Sequence, residues 1–429
     1  MTKPVIGFAG MTHLGLISGV CAAEKGFRVT CFDPDFALIS SLDRGEPPVS
    51  EPRLSELLRR NKRRLQFTTD ATSLSACAVV YVAPDVPTDD AGVSDLAPVH
   101  AMLETVFAAA RNGAAIVVLS QVPPGFTRRM QRPGKFLHCQ VETLIFGRAI
   151  ERALQPERYI VGCADPSRPL PAQYASFLEA HGCPILPMRY ESAELAKISV
   201  NMCLVASISA ANTLAELCER VGADWSEIAP ALKLDKRIGQ FAYLAPGLGI
   251  AGGNLERDLA TLSSLADAHG TDAGVVRACI ANSRHRRDWS AHTIKEVLLN
   301  RRPQAVVAIW GLAYKENTHS VKNSPSLATI AQLPGTALRL HDPVVSAAVS
   351  NHPNATAASD PIEAVRGADA LMILTPWPQY REIAPTQIAA AMRGRIVLDP
   401  YAVLDEKAAT AAGLQVQTMG RPAPGATHA

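Results

Sequence analysis

The chain has no excess of charge of either sign. Its 429 residues carry a formal net charge of +2, with 19% charged and 48% apolar residues. That balance removes the electrostatic reason to expect nucleic acid or an acidic membrane surface as a partner. Paired cysteines are missing too. Nine of them, an odd number, are scattered at 21, 31, 77, 139, 163, 183, 203, 218 and 279, and no C-x-x-C occurs. The pattern predicts reduced, mostly buried thiols in a cytoplasmic protein. No His/Cys cluster has metal-ligand spacing, so no metal is expected. Nor is a leader peptide, because the chain runs straight into Val5-Ile6-Gly7-Phe8-Ala9 with no cationic stretch before it. The longest apolar helix, at roughly 192–221, is interrupted by Glu194, Lys197, Asn201, Asn212 and Glu216. Those residues argue for a buried interface helix and against a membrane span.

What is present begins as a β-α-β unit. A short apolar run, Pro4–Phe8, leads into Gly10-Met11-Thr12-His13-Leu14-Gly15. Leu16–Lys25 has helical spacing, Gly26 ends it, and Arg28–Phe32 reads as the next strand, with Asp33 at its end. A tight glycine turn presents a helix N-terminus to a pyrophosphate, and an acid after the second strand takes a ribose 2′-hydroxyl. The residues from Gly10 to Gly15 and Asp33 are therefore expected to bind a dinucleotide, NAD rather than NADP. The glycine signature is imperfect, since Thr12 stands where G-x-G-x-x-G needs glycine. Strand-like runs recur at Ala78–Ala83 and Ala114–Leu119 with helices between, which is the doubly wound pattern. A second α/β segment starts near Gln304.

The most unusual stretch is Pro246-Gly247-Leu248-Gly249-Ile250-Ala251-Gly252-Gly253-Asn254-Leu255-Glu256-Arg257-Asp258, with four glycines in seven residues. Such density lets backbone approach a ligand closely. Lys197 and Asn201 precede it on the long helix, four residues apart and so on one face. A lysine among apolar neighbours needs a partner or an anionic ligand. Ser192 or Glu191 is expected to cap this helix. A further helix over Asp272–Leu299 contains Arg284-His285-Arg286-Arg287, readable as a solvated face, as phosphate contacts or as a dimer interface.

The glycine stretch resembles the active-site loop P-G-x-G-x-G-G-S-C-x-x-K-D of the UDP-glucose/GDP-mannose 6-dehydrogenase family. Other matches follow the family's order. Glu191-Ser192-Ala193-Glu194-Leu195-Ala196-Lys197 resembles E-x-A-E-x-x-K-x-x-x-N, and Leu234-Asp235-Lys236-Arg237-Ile238-Gly239 resembles D-x-R-I-G. Ala83-Pro84-Asp85-Val86-Pro87 stands for A-V-P-T-P, and Ser120-Gln121-Val122-Pro123-Pro124-Gly125 for S-T-V-P-P-G. Pro48 to Leu58, with Glu51-Pro52, is similar to I-x-E-P-G-L-x-E-L-L. Gly311-Leu312-Ala313-Tyr314-Lys315 resembles G-L-A-F-K, and His341-Asp342-Pro343 the family's Y-D-P.

The resemblance implies an α/β fold: two Rossmann-like doubly wound domains, 1–187 and 300–418, joined by a central helical domain, 188–299, that carries the long helix and a homodimer interface. Residues 419–429 are expected to be a disordered tail. It implies NAD as cofactor, with Val86, Pro87 and Lys315 joining the glycine turn. The implied substrate is a UDP-, GDP- or dTDP-linked hexose, bound by Arg237, Gly249, Gly252, Gly253 and Tyr314. Lys197, Asn201, Asn254, Asp258, Glu142 and Gln121 fall on catalytic positions.

Three departures matter. The family's cysteine nucleophile becomes Asn254, its threonine becomes Gln121, and the second acid of P-E-F-L-R-E-G, which works with a water, becomes Phe146, while Glu142 keeps the first. The family oxidises a primary alcohol twice, and the second step needs a thiolate that an Asn amide cannot replace. Three readings stay open: a two-electron or redox-neutral, epimerising oxidoreductase; an acid-forming dehydrogenase using another nucleophile; and a catalytically silent nucleotide-sugar-binding protein.

Overall fold

A computed structural model describes residues 3–89 and 93–422 of the chain. They fall into two compact units, Met1–Val200 and Asn201–Ala429. The first is built on eight strands: β1 Val5–Ala9, β2 Arg28–Phe32, β3 Leu65–Thr68, β4 Val79–Val82, β5 Ala115–Val118, β6 Phe136–Gln140, β7 Tyr159–Cys163 and β8 Ile185–Arg189. The central ones are nearly unbroken apolar runs, such as Val-Val-Tyr-Val in β4, buried along their length. That is the composition of parallel strands covered on both faces. The order is β3-β2-β1-β4-β5-β6-β7-β8, and only the β6–β7 pair is antiparallel. Strand order therefore reverses between β1 and β4, where doubly wound sheets open a crevice for ligands.

The second unit repeats the plan: β9 Val306–Trp310, β10 Ala337–His341, β11 Ala355–Ala357, β12 Ala370–Ile373, β13 Ile396–Leu398 and β14 Gln415–Gln417, in the order β11-β10-β9-β12-β13-β14, all parallel. Before this sheet come helices Trp225–Leu234, Asn254–His269 and Gly274–Arg287.

The long helix spans Tyr190–Val221. It follows β8 without a gap, so Glu191 and Ser192 lie inside it, and the expected caps are not caps. Its first turns belong to the first sheet: Tyr190 donates to Leu137 O at 2.6 Å, and Ala193 is buried in that core. The helix is long and apolar enough to cross a membrane by length and composition alone. Two of its polar side chains are nevertheless committed to protein partners, Glu194 to the backbone N–H groups of Gly125 and Thr127 and Asn201 to Asp258.

Two expectations need correction. The helix anticipated over 272–299 is three pieces: Gly274–Arg287, Trp289–Ile294 and a π-helical turn at Lys295–Leu299. The anticipated tail is ordered at its start, because Met419 is buried and Gly420 N donates to Glu219 at 2.9 Å while its carbonyl accepts from Trp225 N. Residues 423–429 lie outside the described residues.

Candidate functional site

The turn after β1 explains its own sequence. Gly10 has φ +98°, and a Cβ there would lie 2.7 Å from Pro84 N, in the chain leaving β4. A Cβ on Gly15 would lie 1.9 Å from Gly10 O, so both glycines are obligatory. Thr12 departs from the signature at no cost. Its φ of −71° is open to any residue, and its hydroxyl donates to Ala83 O at 2.9 Å, fastening the turn across the β1–β4 crevice. Helix His13–Glu24 starts here, and Leu14 packs partly into the core. Asp33 accepts from Met11 N at 2.7 Å and from Asp35 N at 3.0 Å. It thus holds the turn from the end of β2. The second unit uses the same device: Asp342 after β10 accepts from Leu312 N and Ala313 N at 2.7 and 3.0 Å. Asp342 accepts also from Trp377 Nε1, Val344 N and Val345 N, so its carboxylate is occupied by protein.

Sequence reasoning passed over what surrounds His13. Its Nε2 meets Glu51 Oε1 at 2.9 Å, and its ring stacks on Phe146 with centroids 4.1 Å apart. Glu51 is buried and accepts from Gly147 N at 2.8 Å. The segment around Phe146 is thereby fastened to the dinucleotide turn. The signal was the Glu51-Pro52 match. Val86 and Pro87 lie in the chain after β4, half-buried and exposed, and Gln121 is half-buried after β5. Lys197 is half-buried and lies near enough to Glu142 to lower its pKa; burial outweighs this and raises the Glu142 carboxyl above its ordinary value.

In the second unit, Asn201 donates to Asp258 Oδ2, and Arg257 Nε lies 3.3 Å from Oδ1. The glycine stretch is held from every side: Gly247 N donates to Asn212 Oδ1 at 2.9 Å, Ile250 N to Ser283 Oγ at 2.7 Å and Gly252 N to Lys322 O at 3.1 Å. Gly249 has φ +74°, and its Cβ would sit 2.3 Å from Ser283 O; at Gly252, φ +81°, it would sit 2.9 Å from the Tyr314 ring. The close approach that the missing Cβ permits at these two positions is to protein. Gly253 is the residue before helix Asn254–His269, facing Lys322, and Asn254 opens that helix with its side chain exposed. Tyr314 also carries Lys315, whose Nζ lies 5.7 Å from the ring centroid.

Arg237 folds back on Asp235 at 2.6 Å and is exposed. Of the basic run, Arg286 is fully buried and pairs with Glu219 at 2.7 Å, so it is structural. Arg284 and Arg287, with Lys322, lower the pKa of Glu256, against the larger rise caused by its burial. Among the described residues no group of His, Cys, Asp and Glu could hold a metal ion.

Comparison with known proteins covers nearly the whole chain. Residues 5–173 match the UDP-glucose/GDP-mannose dehydrogenase family NAD binding domain, 191–284 its central domain and 308–406 its UDP binding domain. A UDP-glucose 6-dehydrogenase of Pseudomonas aeruginosa is 32% identical over 442 residues, covering 97% of each chain. The Bacillus subtilis UDP-glucose 6-dehydrogenase TuaD is 30% identical, covering 97% of this chain and 93% of its own. The solved UDP-glucose dehydrogenase of Pyrobaculum islandicum superposes with a TM-score of 0.83 at 26% identity, over 98% of both chains. The protein is therefore a member of the UDP-glucose/GDP-mannose dehydrogenase family, an NAD-dependent group of nucleotide-sugar oxidoreductases.

Proposed function

We propose that this enzyme transfers a hydride from a nucleotide-linked hexose to NAD and does not form the thioester that a four-electron oxidation needs. The observation that carries the reading is Asn254, at the first position of helix Asn254–His269 directly after Gly252-Gly253. An amide donates and accepts hydrogen bonds but does not add to an aldehyde. The thiols offer no ready substitute. Cys203 is exposed, yet two residues along the helix places it about 200° around from Asn201. Cys218 and Cys279 are buried in separate apolar clusters. In the first unit burial pushes Cys21 and Cys139 up to about 12, far from thiolate chemistry at neutral pH.

NAD, bound in the first domain, would supply the hydride acceptor; the chain must supply the rest. Glu142, whose carboxyl burial pushes above its ordinary value, is the group we assign to take the alcohol proton. Lys197 stabilises the developing alkoxide electrostatically. Asn201 and Gln121 are assigned to hydrogen-bond the sugar, and Asp258 orients Asn201. The match of 308–406 to a UDP binding domain favours a UDP-linked substrate over a GDP- or dTDP-linked one. The domain division at 187 and 299 and a homodimer through the central segment are part of this proposal. Leu214, Leu217 and Val221 on the long helix, and Leu234 and Phe241 after it, are exposed apolar groups suited to such an interface.

The test is incubation with NAD and a panel of nucleotide sugars, scored for both NADH and sugar product. One NADH per sugar, or an altered sugar without net NADH, supports the reading. A uronic acid with two NADH per sugar sinks it. Asn254→Cys should trap a covalent sugar adduct visible by intact-protein mass spectrometry, because Phe146 leaves hydrolysis without the family's second acid.

A further inference from the structure

Glu142 lines a partly open cavity of about 60 Å³ in the first unit. Glu142, Arg152, Gln140, Ser18 and Thr143 give it a polar side. Glu142 Oε1 is buried and has no hydrogen-bond partner among the described residues. A buried carboxylate oxygen left this way is costly, and native proteins resolve it with ordered water. A polar site needs roughly 10–15 Å³ of such cavity space to hold a water, so the cavity has room for at least one. Arg152 is held away from direct contact. Its Nε donates to Thr143 O at 2.7 Å, and its Nη1 to Glu157 at 3.3 Å. Gln140 Oε1 already accepts from the hydroxyls of Tyr81 and Tyr174, which turns its NH2 group to other partners.

We propose that this cavity holds ordered water bridging Glu142 Oε1 to the Arg152 guanidinium, making Arg152 a positioning residue that keeps Glu142 ionised from behind. The charges around Glu142 agree. Only two cations oppose the effect of burial on it, Lys197 from the long helix and Arg152 from helix Ala149–Leu154. Four other titratable groups lining the cavity are neutral near pH 7: burial pushes Cys21, Tyr81 and Tyr159 up and His181 down to about 4. Arg158 is engaged by Glu157 at 3.0 Å. Glu142 is therefore set between a lysine on one side and a water-relayed arginine on the other.

The inference concerns the protonation of Glu142 in the ligand-free protein, so it stands apart from whether Glu142 is the base. Infrared difference spectroscopy across a pH titration reads the protonated-carboxyl band, with Glu142→Gln identifying it. Arg152→Met should move that titration up by about one pH unit or more, the scale of one lost neighbouring charge. Arg152→Lys should stay close to the unmodified protein. A crystal structure of the unmodified protein should show water within hydrogen-bond distance of Oε1. An empty cavity at a resolution that shows waters elsewhere, or an unmoved titration in Arg152→Met, overturns the proposal. If Arg152→Met does not fold, the crystal structure decides alone. Activity of Glu142→Gln tests the base assignment separately.

Discussion

Gly247 and Gly249 stand two residues apart in the same loop, and the structure assigns them opposite sensitivities. An alanine Cβ at 247 meets only Tyr401 Cε1, at 3.6 Å, which is ordinary contact. At 249 the backbone has φ +74°, and the Cβ would lie 2.3 Å from Ser283 O and 2.9 Å from Ser283 Oγ. The left-handed conformation alone costs an L-residue about 1–2 kcal/mol. Forcing the overlap apart adds about 1–3 kcal/mol. It also strains the bond from Ile250 N to Ser283 Oγ, 2.7 Å long. Gly249→Ala should therefore destabilise the second unit by about 2–5 kcal/mol, and Gly247→Ala by less than about 1 kcal/mol. At about 2–4 °C per kcal/mol for a unit of this size, the first variant melts roughly 4–20 °C lower. Differential scanning calorimetry of the two variants measures this directly. If they melt together, within about 2 °C, the loop does not owe its glycines to Ser283. If Gly249→Ala instead keeps its stability and loses nucleotide-sugar affinity, the glycine serves the ligand after all.

Three further outcomes follow from the site. Asp33 at the end of β2 should make NAD bind more tightly than NADP; titration calorimetry giving equal or tighter NADP binding removes the assignment. Lys197→Ala should lower turnover by about 10²-fold, the scale of one lost oxyanion donor, with nucleotide-sugar binding changed far less; unchanged turnover in steady-state assays places the chemistry elsewhere. The exposed apolar side chains at Leu214, Leu217, Val221, Leu234 and Phe241 should be covered in a homodimer, and sedimentation of a monomer at micromolar concentration would argue against that interface.

Much of this protein was legible before any coordinates. The long helix, expected over roughly 192–221, spans Tyr190–Val221, because a run of apolar residues broken by Glu194, Lys197 and Asn201 at helical spacing has one periodicity to offer. The turn at Gly10–Gly15 and the strands after it were readable for a similar local reason: parallel strands buried on both faces appear as short apolar blocks. Asn254, too, needed only the chain order, since the glycines before it and Asp258 after it mark its place. Tertiary structure alone decided why those glycines are there. Ser283 and Tyr314 stand 34 and 62 residues beyond Gly249 and Gly252, and no spacing rule reports that a distant side chain needs the space a Cβ would fill. The same holds for Thr12, whose departure from the signature is harmless because its φ is negative and Ala83 O lies within reach. It holds also for Glu51, held against His13 and the backbone at Gly147 by contacts 38 and 96 residues apart. Local periodicity comes from the backbone's own geometry and is written in neighbouring residues. The fit of a buried carboxylate or a missing Cβ depends on atoms brought together only when the chain closes on itself.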